Sequence, residues 1–221
     1  MGKQIKAFIF DLDGVITDTA EYHYLAWKQL AEDMGISFDR DFNEQLKGVR
    51  RMDSLKHILT LNPKLSFSKE ELEALATRKN EHYITLIKDM TPNDILPGIR
   101  KLIEEIKKHE LQLALGSASK NARIVLERLQ LLNSFDYIVD AAKVEHGKPH
   151  PETFLTGAEG LGVSPLNCVG VEDAKAGVDA IKAAGMFAVG IGSKEHLAKA
   201  DYIVETTREL QFVNIMAEVT K

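Results

Sequence analysis

The sequence predicts an α/β fold, a parallel sheet with helices on both faces and an all-helical insertion, and three observations carry that reading. Short apolar runs recur at Ala7–Phe10, Leu111–Leu115, Cys168–Val171 and Phe187–Ile191, as strands buried on both faces require. From Ile99 these runs alternate with helical patterns, the mark of a parallel sheet wrapped by its crossover helices. Between residues 17 and 90 no strand pattern occurs and the apolar spacing is helical.

The first strand, Ala7 to Phe10, runs straight into Asp11, Asp13 and Gly14. Side chains two apart share a face of a strand, so both carboxylates leave its end pointing the same way. Gly14 lets the backbone turn just behind them. Tyr22, Ala26, Leu30 and Met34 then recur every four residues, a helical stripe that Gly35 is placed to end. Phe42 to Lys47 and Met52 to Leu61 also read as helical, and Asn62-Pro63 breaks the run. Ser68 and Glu71 form a capping box for a long helix with Leu72, Leu75, Ala76, Lys79, Tyr83 and Leu86 near one side. Pro92 and Pro97-Gly98 close the block.

A helix over Ile99–Lys108 reopens the alternation. The strand Leu111–Leu115 follows, then the small-residue loop Gly116 to Ser119, a helix from about Asn121 to Leu129, and a short strand at Tyr137–Val139. Pro151 opens the next helix, at the end proline favours. The strand Cys168–Val171 ends in Glu172-Asp173, and the helix Ala174–Ala184 stops at Gly185. Strands at Phe187–Ile191 and Tyr202–Val204 precede a C-terminal helix. The expected domains are therefore a core of residues 1–16 with 91–221, and a helical cap of residues 17–90.

The chain has 221 residues, 44% hydrophobic and 28% charged, an ordinary globular composition able to bury a large core without disulfides. A net charge of −5 argues against a nucleic-acid partner or an anionic-membrane surface, but leaves room for a local basic phosphate pocket. The one cysteine, Cys168, sits in an apolar run and reads as a buried structural thiol. No apolar stretch approaches the roughly 20 residues of a membrane span. The first apolar run is too short for a signal peptide and is interrupted by Asp11, and Lys6 stands where a myristoylation motif needs Ser or Thr. A cytoplasmic address and a monomer are the expectation.

Four motifs carry chemistry. Asp11 and Asp13 crowd negative charge at the carboxyl end of a parallel strand, where open α/β sheets bind ligands, and Mg²⁺ suits such a carboxylate pair. Ser117 and Ser119 lie in a small-residue loop at a helix start, where a phosphate fits; a serine N-cap is the plainer account. Lys148, held extended by Pro149, can meet a phosphoryl group as a point charge, or can simply be solvated. Glu172 and Asp173 repeat the paired carboxylates at another strand end, although acidic residues also favour helix starts in general.

The stretch DLDGVITDTAEYH, then Ser117, Lys148-Pro149 and Glu172-Asp173, resembles in order and spacing the four motifs of the haloacid dehalogenase superfamily, in its phosphatase and phosphomutase branch. The resemblance covers nearly the whole chain and implies a Rossmann-like core with an inserted helical cap. It implies Asp11 as nucleophile, Asp13 as general acid and base, and Ser117 and Lys148 as stabilisers of the transferring phosphoryl group. Asp11, Asp13 through its backbone carbonyl, and Asp173 would hold Mg²⁺, with Glu172 beside them. In the cap, His23, Trp27, Lys47, Gly48, Val49, Ser54 and Lys79 match the family's substrate-binding positions, and the histidine pairs with the acid/base aspartate as the cap closes. Arg51, with Ser119, Lys120 and Asn121 from the core, matches the site for the substrate's distal phosphate, which an arginine can grip in a bidentate fork.

The sequence departs from the family pattern at Arg50, at Ala174 where serine is usual, and at Gly116 and His146-Gly147. None of these removes a reacting group; Arg50 adds a donor beside the distal phosphate position. The function expected from the resemblance is interconversion of β-D-glucose 1-phosphate and glucose 6-phosphate through an aspartyl phosphate and a glucose 1,6-bisphosphate. A sugar-phosphate phosphatase is the runner-up, and a non-catalytic sugar-phosphate sensor the third reading. No dinucleotide or nucleotide-triphosphate motif competes, since Gly190-Ile191-Gly192 lacks its third glycine and its place after the first strand.

Overall fold

A computed structural model describes residues 4–46 and 48–221 of the chain. Two compact units emerge, Met1–Asp18 with Met90–Lys221, and Thr19–Asp89. The first strand, β1 (Ala7–Phe10), is fully buried along its length, as its unbroken apolar run requires.

The second unit is all-helical among the described residues: α1 (Ala20–Asp33), α2 (Arg40–Glu44), α3 (Arg51–Leu59) and α4 (Lys69–Leu86). Its core gathers Tyr24, Trp27, Leu30, Phe38, Leu55 and Ile58. The stripe on α1 is turned slightly from the sequence expectation: Tyr24, Ala26, Trp27, Leu30 and Ala31 are buried, while Tyr22 and Met34 are only half-buried. The helix α2 starts earlier than the expected Phe42, because the Asp39 carboxylate accepts from the Phe42 N–H at 2.8 Å and caps it there. The capping box before α4 forms in full: Ser68 Oγ accepts from Glu71 N–H at 3.2 Å, and Glu71 accepts from Ser68 N–H at 2.7 Å.

In the larger unit α5 (Ile99–Lys108) buries Ile99, Leu102, Ile103 and Ile106, one face of a helix. It is followed by β2 (Gln112–Leu115), α6 (Ala122–Arg128), β3 (Tyr137–Ile138), α7 (Glu152–Leu161), β4 (Cys168–Glu172), α8 (Lys175–Ala183), β5 (Phe187–Ile191), β6 (Tyr202–Val204) and α9 (Phe212–Val219). The six strands pair in parallel in the order β3-β2-β1-β4-β5-β6, so the chain starts at the centre and winds outward in both directions. Alternation along β1 assigns the two faces. Ala7 and Ile9 pack with Phe154 and Ala158 of α7 and Ile181 of α8. On the other side the Phe8 ring lies 6.2 Å from Phe212 of α9, and Phe10 meets Phe135 edge-on at 6.5 Å. The doubly wound α/β class read from the sequence is the fold observed.

Cys168 is fully buried, and burial pushes its thiol up to about 11, as expected of a structural cysteine. No described helix is long and apolar enough to cross a membrane.

Candidate active site

The strand order brings distant motifs together. β1 lies between β2 and β4, with Phe10 in register with Leu115 on one side and Val171 on the other. Glu172, the last residue of β4, and the residues just past the strand ends, Asp11, Ser117 and Asp173, therefore share the carboxyl edge of the sheet. Backbone bonds extend the pairing: Asp11 N–H donates to the Val171 carbonyl at 3.0 Å and Gly116 N–H to the Phe10 carbonyl at 2.8 Å.

Lys148 arrives from the loop before α7 and its ammonium is completely enclosed. It donates to Asp11 Oδ1 at 2.6 Å and to Glu172 Oε2 at 2.7 Å. The other Glu172 oxygen, Oε1, accepts the N–H groups of Asp173 (3.2 Å) and Ala174 (3.1 Å). Both oxygens of Glu172 are thus engaged, one by the lysine and one by the start of α8. The alanine at 174 costs this arrangement nothing, because its backbone makes the bond. Glycine is needed twice around these carboxylates. Gly14 has φ of 74°, and a Cβ there would run into the Asp173 carboxylate; at Gly177 a Cβ would overlap the Glu172 carboxylate.

The charges do not balance. Burial, then Glu172, push Asp11 up to about 7 against the pull of Lys148. Burial, then Glu172 and Asp11, push Asp173 up to about 9. Burial opposes the Lys148 charge, yet Asp11 and Glu172 hold the ammonium above the ordinary lysine range. Asp11, Glu172 and Asp173 each offer a carboxylate oxygen within 4.8 Å of the others. A crowded, all-oxygen, net-negative cluster is the donor set of a hard divalent cation. The side chain of Asp13 stands outside this group; it is half-buried, in a turn where Gly14 N–H donates to the Thr17 carbonyl at 2.8 Å and Thr17 Oγ1 to the Asp94 carbonyl at 2.7 Å.

Ser117 is buried, and its Oγ accepts from Ser119 N–H at 3.1 Å, while Ser119 Oγ accepts from Asn121 N–H at 3.3 Å. Each hydroxyl keeps its own proton to donate. Asn121 is buried at the head of α6 and Lys120 is exposed beside it.

In the helical unit the centre is a pair absent from the sequence reading. Lys79 Nζ lies 2.7 Å from His23 Nδ1. An ammonium has no acceptor, so Nδ1 must accept, which leaves the ring neutral with its proton on Nε2. Burial, then Lys79 and Arg51, hold the His23 pKa well below the usual range, in agreement. Tyr83 stacks on His23 with centroids 4.1 Å apart, and Lys79 sits 4.6 Å from the Trp27 ring centroid. Trp27 is thus a buried wall for the lysine. The signal available in the sequence was a lysine on the buried side of an amphipathic helix, which must find a partner.

Gly48 has φ of 71°, and the Val49 carbonyl accepts from the buried Ser54 hydroxyl at 3.4 Å, so Ser54 serves the turn before α3. Lys47 lies outside the described residues. Arg50 Nε donates to Asp53 Oδ2 at 2.8 Å. Arg51, half-buried, donates to Asn80 Oδ1 at 2.7 Å.

A sequence model of the haloacid dehalogenase-like hydrolase family matches residues 5–185. The beta-phosphoglucomutase of Bacillus subtilis is 49% identical over 207 residues, 93% of this chain and 92% of that protein. The phosphorylated carbohydrates phosphatase of Thermotoga maritima is 32% identical over 184 residues, 82% of each. Among solved structures, a beta-phosphoglucomutase from Clostridium difficile superposes with a TM-score of 0.96 at 52% identity, covering 98% of this chain and 97% of that one.

Proposed function

The chain belongs to the haloacid dehalogenase-like hydrolase family, and from that premise we propose that it interconverts β-D-glucose 1-phosphate and D-glucose 6-phosphate, as a β-phosphoglucomutase. The observation that carries this is the near full-length likeness to beta-phosphoglucomutases of two other organisms, well above the likeness to the phosphatase relative.

Asp11 is the nucleophile and carries the phosphoryl group between half-reactions. In the forward direction Asp13 takes the proton of the sugar 6-hydroxyl as that oxygen bonds to phosphorus and the bond from phosphorus to Asp11 breaks. The product is β-glucose 1,6-bisphosphate. After the sugar turns round, Asp11 attacks the 1-phosphoryl group, the bond from phosphorus to O1 breaks, and Asp13 returns its proton to O1. Lys148 and the Ser117 hydroxyl donate to the phosphoryl oxygens, where charge accumulates. Glu172 keeps the Lys148 ammonium in place. Arg51 in the cap, and Ser119, Lys120 and Asn121 in the core, are the donors assigned to the substrate's distal phosphate, and His23 acts as a neutral Nε2–H donor whose tautomer Lys79 sets. Lys47, Gly48, Val49, Ser54 and Trp27 shape the sugar-binding side of the cap.

Asp11, Asp173 and the backbone carbonyl of Asp13 are the groups that would hold Mg²⁺, which when bound supplies positive charge against the transferring phosphoryl oxygens. The raised values of Asp11 and Asp173 make a linked prediction. A carboxyl raised on folding contributes stability that is full below the ordinary carboxylate range and is lost as pH rises through its folded value. Here that loss spans pH about 4 to about 7 for Asp11 and on to about 9 for Asp173. Added Mg²⁺ is therefore expected to raise Tm more at pH 8.5 than at pH 5, by differential scanning fluorimetry. An equal rise at both would remove the carboxylate site from the account.

The test of function is product formation from β-glucose 1-phosphate with Mg²⁺ and a trace of glucose 1,6-bisphosphate, with the α-anomer as control. Glucose 6-phosphate from the β-anomer alone, without matching free phosphate, is the expected result. Free phosphate with little glucose 6-phosphate makes the chain a phosphatase.

A further inference from the structure

The loop that delivers Lys148 carries a second group of ligand-type side chains that the phosphoryl chemistry does not use. His146 and His150 stand two residues either side of Lys148, and Glu152 opens α7. Their ligand atoms lie within 4.8 Å of one another. His146 Nδ1 is 2.9 Å and His150 Nδ1 3.8 Å from the same oxygen, Glu152 Oε2. The imidazole rings lie with centroids 4.6 Å apart and planes tilted by 37°, and both are exposed.

We propose that His146, His150 and Glu152 form a second metal site, specific for a borderline first-row dication such as Zn²⁺, on the loop that carries Lys148. Bonds of about 2.0–2.1 Å in a tetrahedral ion set donor atoms about 3.3 Å apart, between the two separations seen here. Two imidazoles and one carboxylate suit zinc, whereas Mg²⁺ prefers oxygens alone, so the two sites differ in kind. Exposure leaves the fourth position to water. Glu152 already organises the segment, since Oε1 accepts the Glu145 N–H at 2.6 Å and Oε2 the His146 N–H at 2.8 Å. An ion here joins both histidines to the helix start and closes a ring around Lys148. The site does not depend on the sugar-phosphate reading.

Tag-free protein saturated with Mg²⁺ is titrated with Zn²⁺ by calorimetry, beside H146Q/H150Q. The remaining histidines and the buried Cys168 are common to both, so they cancel in the comparison. The parent is expected to take up one equivalent of Zn²⁺ more than the variant, and Co²⁺ in place of zinc should give tetrahedral absorption bands in the parent alone. H150Q by itself should weaken that event by more than about tenfold, since loss of a direct ligand costs at least as much as the 10–100-fold effects of outer-shell changes. Identical stoichiometry and affinity in parent and variants overturn the site.

Discussion

Asp11→Asn is expected to lower sugar-phosphate turnover by about 10⁵-fold, the scale seen when a covalent nucleophile is removed. The amide cannot take a phosphoryl group, so mass spectrometry of protein mixed with glucose 1,6-bisphosphate should show the phosphorylated species in the parent and not in the variant. The fold should survive the change. Asparagine keeps an oxygen where Lys148 now donates at 2.6 Å, and it removes a carboxylate that burial and Glu172 push up to about 7. Without Mg²⁺ at pH 8 the variant should therefore melt no lower than the parent, and above it if repulsion among Asp11, Glu172 and Asp173 dominates. A sensor would separate differently: it would bind sugar phosphate in both forms and turn it over in neither. Residual mutase activity above about one per cent of the parent's would take the nucleophile's role from Asp11, given the size of the expected loss.

Much of this centre was legible in the chain because its parts are local. An apolar run closed by DLDG announces a buried strand with two carboxylates at its end, and VGVED repeats the signal. The capping box at Ser68 and Glu71 and the helix Ile99–Lys108 depend mainly on neighbours in sequence, and both formed as read. What could not be read depends on contacts between distant segments. Lys148 is 137 residues from Asp11, and only the placement of β4 beside β1 shows that it lies between Asp11 and Glu172. Glu172 reads as a metal ligand by type, but that one of its oxygens also holds the lysine and the other the start of α8 depends on how the segments assemble. Lys79 and His23 are 56 residues apart, and their pairing needs α1 against α4. The boundary of α2 moved because a side chain, Asp39, outweighed the apolar pattern that suggested Phe42.

Lys148→Met separates what this lysine does for the reaction from what it does for the fold. Methionine matches its length but brings no charge, so two buried carboxylates lose the ammonium they now share. Removing one partner of a buried ion pair costs on the order of 3–5 kcal/mol, and the loss should be largest at high pH. The sign follows from linkage: without the Lys148 cation that now opposes the rise, Asp11 binds its proton still more readily when folded, so stability declines further as pH rises. Turnover should fall by about 10²–10³-fold from the lost donor to the phosphoryl oxygens, and more if Asp11 becomes protonated. Lys148→Arg should not rescue it, because a planar fork does not fit an enclosed site shaped for a point charge. The decisive comparison is Lys148→Met with Glu172→Gln. The double variant removes the orphaned carboxylate along with its partner, so much of the lost Tm should return while turnover stays low, a coupling that a double-mutant cycle measures. Recovery of both together would mean that Lys148 acts only by neutralising Glu172. Recovery of neither would mean that the stability of this centre rests on the Lys148 contact to Asp11, which the double variant leaves broken.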